Sequence, residues 1–200
     1  MRITKEQKQE NHDRIVAIAS EMFREHGYDG VGIAELMERA GLTHGGFYNH
    51  FRSKEDLIAQ ATQLSFDEAS QRYADIDARA VIDFYISRAH RDQPAIGCPV
   101  TTLGCEAARQ TDATRAIFGN GIEVLLANLV QDMARNGIAG PGARSQAITI
   151  LARAAGAVIL SRACPDESAL ADEILEACRL DCHDSIISRS QESTSREPSP

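Results

Sequence analysis

The chain has 200 residues, 43% hydrophobic and 25% charged, with a formal net charge of −8. That length supports one or two domains with a packed core, and the acidic balance argues against bulk, sequence-blind nucleic-acid binding. There is no run of about 18 apolar residues to span a membrane, and the polar start MRITKEQKQENHDR has no apolar leader core. Five cysteines with no signal peptide and no Cys-x-x-Cys pair point to reduced thiols in the cytoplasm and away from a disulfide framework, a metal site or a cofactor.

The first element expected is a helix from about Thr4 to His26, with Ile15, Ile18, Ala19, Met22 and Phe23 as its buried stripe and Gly27 closing it. Tyr28-Asp29-Gly30 reads as a turn. Ile33, Leu36, Met37 and Ala40 then fall on one face of a second helix, which Gly41 ends in a left-handed position, with Leu42 folding back. Thr43 is a suitable N-cap for a short third helix, about His44 to His50, anchored by Phe47 and Phe51 at i, i+4. A helix ending in Ala-Gly, a short turn and a second helix is the sequence shape of a helix-turn-helix. Gly45 and Gly46 in the first turn each cost about 1 kcal/mol relative to alanine; a helix that must approach another surface closely can use that missing bulk. His44, Tyr48, Asn49, His50 and Lys54 surround them and can donate to phosphates or base edges.

These residues resemble the DNA-binding domain of the TetR family of bacterial transcriptional regulators. The likeness runs through Ile15, Ala19, Phe23, Gly27, Ile33, Ala40-Gly41-Leu42-Thr43, Gly45, Phe47-Tyr48-Asn49-His50-Phe51 and Ser53-Lys54-Glu55-Asp56-Leu57, and covers about the first 60 residues. It implies an all-α fold, with a three-helix helix-turn-helix domain followed by a helical ligand-binding and dimerisation domain. The expected boundaries are 1–52 for the reader, 53–188 for the regulatory part and 189–200 for a disordered polar tail. It also implies a homodimer on a palindromic double-stranded DNA operator, released by a small-molecule effector. Thr43, His44, Gly45, Gly46, Tyr48, Asn49, His50 and Lys54 are the implied DNA-facing set. Val31 and Gly32 depart from the family, which has Thr or Ser there to cap the second helix and touch a phosphate.

Residues 1–64 carry eight Lys and Arg against ten Asp and Glu, a net of 8 − 10 = −2. Tight binding by so acidic a reader calls for two copies. At the fourth helix, Ser53 is the expected N-cap and Asp56 stands at N3, a capping box weakened by the shorter Asp. That helix continues through Leu57, Ile58, Ala61 and Leu64 to about Ala74. A helix over Asp77–Arg91, a loop at 92–97, a short helix at Cys98–Gln110 and a long one from Asp112 to about Asn136 follow, with Ile117, Phe118, Val124, Leu125 and Leu129 inside. GIAGPG at 137–142 is a break. No segment alternates with period two, so no sheet is expected.

Phe66, Tyr85 and Phe118, with Tyr73 and Phe84, are candidates to line an effector pocket, although aromatics at helical spacing are commonly plain core. Ile148, Leu151, Ala152, Ala155 and Ile159 form one late stripe, and Ala171, Leu175, Cys178, Cys182 and Ile186 form another after Pro165. Two such helices pairing with their copies give a four-helix interface of two-fold symmetry. The expected interface is Leu151, Ala152, Ala155, Ile159, Leu175, Cys178 and Cys182.

The segment IGCPVTTLGCEAAR, 96–109, resembles a Gly-Cys-centred segment of NemR-like, electrophile-responsive TetR members. Cys98 at a helix N-terminus, with Pro99 in the first turn and His90 and Arg91 close in sequence, fits a thiol sensor; a small buried hydrophobe is the alternative. An enzyme using Cys98 as nucleophile and His90 as base has no supporting elbow, phosphate loop or carboxylate pair. A helix-turn-helix that binds protein instead of DNA is the remaining alternative.

Overall fold

The computed structural model describes residues 4–74 and 76–192, with side chains up to residue 186. Its described elements are all helical, in the order α1 (Lys5–His26), α2 (Ile33–Arg39), the 3-10 helix η1 (His44–Asn49), α3 (Lys54–Tyr73), α4 (Ala78–Tyr85), α5 (Arg88–Asp92), the 3-10 turn η2 (Pro94–Ile96), α6 (Pro99–Ala107), α7 (Asp112–Arg135), α8 (Ala143–Ala163) and α9 (Ala169–Glu192). No strand occurs among the described residues. They divide into two compact units: Met1–Ala69 with Gln93–Ile122, and Ser70–Asp92 with Glu123–Pro200. The expected cut after residue 52 therefore differs from the packing, because η2 and α6 pack on α1.

In the first unit, α1 starts at a reciprocal capping box, with Thr4 Oγ1 accepting from Gln7 N–H and Gln7 Oε1 accepting from Thr4 N–H. Its buried face is Ile15, Val16, Ala19, Met22 and Phe23. Polar pairs tie α1 and the turn after it to α3: the Ser20 and Ser65 hydroxyls meet at 2.8 Å, the Tyr28 hydroxyl meets Thr62 Oγ1 at 2.8 Å, and Arg24 pairs with Glu68 at 2.9 Å. Burial pushes the Tyr28 hydroxyl up to about 12, so it is neutral throughout the physiological range. Segment 93–122 is fastened to the same body. The Arg24 Nε–H donates to the Ala95 carbonyl at 2.6 Å, and Glu106 of α6 accepts from Tyr28 N–H at 2.8 Å. Gly27, at φ 77°, lies so close to the Glu106 carboxylate that a Cβ there would come within 2.3 Å of Oε1.

In the second unit, α8 and α9 form a packed helix pair, with α4 against α9 and α5 against α8. Ala147, Ile150, Ala154, Val158, Ala171, Leu175, Cys182 and Ile186 are buried. The residues expected as one helix over 77–91 are two. Ile86 leaves helical geometry at ψ 65°, and Ser87 caps α5, its Oγ accepting from His90 N–H while donating to the Phe84 carbonyl. α7 is capped by Thr111, whose Oγ1 accepts from Thr114 N–H, and Asp112 pairs with Arg115 in the first turn. Arg91 is buried and holds the α8–α9 turn, donating to the Ser161 and Cys164 carbonyls and to Asp166. α8 is, among the described residues, the one helix long and apolar enough to cross a membrane by length and composition. It packs on α9 and carries Arg144, Arg153 and Arg162, all engaged by hydrogen bonds, as a core helix does. α9 runs to Glu192, past the expected start of the tail at 189; residues 193–200 lie outside the described residues.

Candidate nucleic-acid interface and effector pocket

The turn between α2 and η1 depends on Gly41. At φ 70° it lets its own N–H reach the Glu38 carbonyl and the Leu42 N–H reach the Met37 carbonyl at 2.8 Å. That pair of bonds satisfies the last free carbonyls of α2 and reverses the chain. Thr43 takes the extended N-cap backbone, but its hydroxyl makes no capping bond; its carbonyl accepts from Gly46 N–H instead. The segment 44–49 is correspondingly a 3-10 helix and not the α-helix expected. Two glycines in the first turn supply no side chains to favour α geometry, and the tighter i to i+3 bonding suffices for so short a piece.

Phe47 is fully buried and packs its ring 5.3 Å from that of buried Phe51. With those two facing inward, His44, Gly45, Tyr48 and Asn49 face solvent; Tyr48 is 66% exposed. Gly46, His50 and Lys54 are half-buried. His50 has a buried Nδ1 with no hydrogen-bond partner among the described residues, and burial, then nearby His12 and Lys8, lower its pKa. That lowering favours the neutral imidazole. A buried bare nitrogen is tolerated better than a buried unpaired N–H, which favours the tautomer with its hydrogen on Nε2.

At α3, Ser53 Oγ accepts from Asp56 N–H at 3.3 Å, as expected for the N-cap. The return bond reaches one residue further than a capping box requires: Asp56 Oδ2 accepts from Arg52 N–H at 3.0 Å, which is the largest cause holding the Asp56 carboxyl below its ordinary value. A relay continues to α1. Gln60 donates to Asp56 Oδ1 at 3.0 Å, and His12 Nε2 donates to Gln60 Oε1 at 2.9 Å while its ring stacks on Phe51 at 4.7 Å. His12, Lys8 and exposed Arg52 thus stand beside the expected DNA-facing residues without belonging to that set. Nothing in their spacing marks them; α1 reads only as an amphipathic core helix. Gly32, at the N-cap of α2, has no side-chain bond, as its departure from the family pattern implied.

The effector candidates separate. Phe66 and Phe118 meet edge-on at 4.9 Å in the first unit, with Phe66 pressed on Gly121, where a Cβ would approach its ring to 2.2 Å. They are core. Tyr85 instead lines an apolar pocket wholly within the second unit, enclosing about 480 Å³ of empty space with its solvent-open mouth included. Tyr73, Val81, Leu125, Leu129 and Leu151 are among its walls, and Asn128 and Asp132 are its polar groups. Cys98 occupies the N-cap of α6 before Pro99, as expected, but it is 0% exposed, and a sensor thiol needs access to its reagent. His90 is buried with Nδ1 donating to the Tyr85 carbonyl at 2.7 Å, and burial pushes its pKa down to about 4, so it is a neutral imidazole and supplies no charge to a thiolate.

The expected interface also divides. Leu175 and Cys182 are buried by their own protomer's α8–α9 packing, and burial raises the Cys182 thiol pKa; Ala155 is buried too, and Leu151 belongs to the pocket. Ala152 is exposed, and Ile159 and Cys178 are half-exposed. Apolar residues that do face solvent include Ile148, Ala152 and Leu160 on α8 and Leu170, Ala177 and Leu180 on α9. Both sets recur at helical spacing, so spacing alone does not separate the residues that close the α8–α9 pair from those that face solvent.

A three-helix body with a glycine-stopped turn, two buried phenylalanines and a polar segment turned to solvent defines a helix-turn-helix DNA-binding protein. The chain belongs to the TetR family of DNA-binding transcriptional regulators: residues 15–61 match the family's bacterial regulatory protein model, and residues 77–173 match the model of LmrA/YxaF-like transcriptional regulator C-terminal domains. It is 34% identical over 64 residues to the HTH-type transcriptional regulator AcrR of Shigella flexneri, covering 32% of this chain and 30% of that one. The chain spans about a third of the length of the curated relatives it first matches. Among solved structures it resembles reduced NemR of E. coli (TM-score 0.73, 20% identity, 88% of this chain and 96% of that). It also resembles AibR, solved with isovaleryl coenzyme A and operator DNA (TM-score 0.58, 20% identity, 84% and 96%). At these identities the two structures show a shared fold.

Proposed function

We propose that the chain is a homodimeric transcriptional repressor of the cytoplasm that reads a palindromic operator with η1 and leaves it when a small molecule fills the pocket of the second unit. The observation that carries this is the polarity of η1: Phe47 and Phe51 are buried beneath it, while His44, Tyr48 and Asn49 face solvent on a glycine-thinned turn. In this reading η1 enters the major groove, Asn49 and His44 approach base edges, and Tyr48, His50 and Lys54 hold phosphates. Two copies pair through the exposed apolar residues of α8 and α9, which supplies the second half-site reader that an acidic domain needs. Effector and DNA oppose each other because each favours a different arrangement of the readers. No catalytic step enters. Repression is the family's ordinary mode, and AibR supplies a relative solved with both a small molecule and operator DNA.

Selection from a random DNA library with the purified protein tests the reading. A recovered palindrome is the expected result, with Asn49→Ala relaxing preference at one position and His50→Ala weakening all sequences alike. Absence of any enriched sequence overturns it.

A further inference from the structure

The effector reading of the second unit's pocket, on which this inference rests, leaves the chemical class of the effector open. The pocket's described lining is six aliphatic side chains, two tyrosines, Asn128 and Asp132; it contains no Lys, Arg or His. Asp132 is therefore the charged group at the wall, and the pocket's sign is negative. Its Oδ2 accepts from Ala78 N–H at 2.5 Å and from the Asn136 amide, so it also caps the first turn of α4. That use does not cancel the charge. A second carboxylate, Asp77, stands at the α4 N-cap, accepting from Arg79 N–H, and a helix N-terminus offsets only about half of one charge. Asn128 spends an amide hydrogen on Ser70 Oγ at 3.1 Å, leaving its carbonyl oxygen as an acceptor. The rings of Tyr73 and Tyr85, both in the pocket wall, lie 6.0 Å apart and inclined at 49°, an electron-rich pair in an otherwise mostly aliphatic lining. Acceptors, a carboxylate and a tyrosine pair all favour a ligand that brings positive charge and N–H donors.

We propose that this pocket takes an aryl- or alkyl-bodied organic ammonium, with its apolar body among Val81, Leu125, Leu129 and Leu151 and its cationic head toward Asp132 and the tyrosines, and that it rejects carboxylates and phosphates of the same shape. An acyl-coenzyme A, the ligand class seen in AibR, carries the wrong charge for it.

The experiment is calorimetric titration of the full-length protein, without DNA, with three probes sharing one skeleton: 3,3-diphenylpropylammonium, 3,3-diphenylpropan-1-ol and 3,3-diphenylpropanoate. The expected order is ammonium at least tenfold tighter than the alcohol, and the alcohol tighter than the carboxylate. Asp132→Asn, which keeps an acceptor for Ala78 N–H, should cost the ammonium about tenfold and leave the alcohol within about twofold. Leu129→Trp, which fills the cavity, should weaken all three; unchanged thermal midpoints establish that both variants fold. A carboxylate that binds as well as the ammonium, an Asp132→Asn effect equal for all probes, or no ammonium binding at millimolar concentration overturns the charge class. Ammonium binding that ignores Leu129→Trp overturns the pocket itself as the site, a distinct failure.

Discussion

At the reader, the environment of His50 lowers its pKa. A neutral imidazole with its hydrogen on Nε2 can donate to a phosphate without releasing a counterion. His50→Ala should therefore weaken operator binding while leaving the salt dependence nearly unchanged, whereas Lys54→Ala should reduce the slope by about one unit. Filter binding from low to moderate salt separates them, and equal slope changes in both variants would count against the neutral assignment. Because its pKa is lowered in the free protein, acidification adds a charge at the interface at a lower pH than for an ordinary histidine, and operator affinity should rise there. His90 acts on stability. Its folded pKa of about 4 lies below the unfolded value of 6.5, so between those values the unfolded chain binds more protons. Its stabilising contribution is complete above pH 6.5 and is lost as pH falls toward 4, on the order of 1–2 kcal/mol by pH 5. Urea midpoints at pH 7 and pH 5 should show that loss, and His90→Gln should flatten the difference.

Two glycines distinguish how elements are ended. Gly41 stops α2 at φ 70° with open space where a Cβ would go, so Gly41→Ala should cost only the left-handed backbone penalty, about 1–2 kcal/mol. Gly27 stops α1 at φ 77° and ψ 167°, a region essentially confined to glycine, and a Cβ there meets the Glu106 carboxylate that accepts from Tyr28 N–H. Gly27→Ala should therefore cost clearly more, about 2–4 kcal/mol, and should loosen α6 from the reader. Denaturant unfolding of the pair gives the comparison; equal losses would mean that Glu106 yields freely. The sequence reading found both stops from glycine placed after an apolar stripe. It could not find Glu106, 78 residues beyond Tyr28, because a single carboxylate on a short helix has no pattern of its own.

On the scale of the whole molecule, the exposed apolar residues of α8 and α9 should decide assembly. Leu160 is 59% exposed, so Leu160→Glu should leave each protomer folded, shift sedimentation from dimer to monomer and remove operator binding together with it. Cys182→Ser, at a buried position, should lower the thermal midpoint without changing the subunit count. A dimer that survives Leu160→Glu would move the interface elsewhere.

The all-α architecture, the reader's helix starts and stops and the inward pair Phe47 and Phe51 were legible in the amino-acid order, since each depends on residues a few positions apart. Family membership was legible for the same reason: the matching residues lie close together along one reader. Tertiary structure alone decided which of two helical stripes on α8 and α9 is buried, that Phe66 and Phe118 are core while Tyr85 lines a cavity, that Cys98 is shut away from solvent, and that the pKa of His50 is lowered. All four depend on groups brought together from distant positions, and periodicity carries a residue's face but not the identity of what covers it.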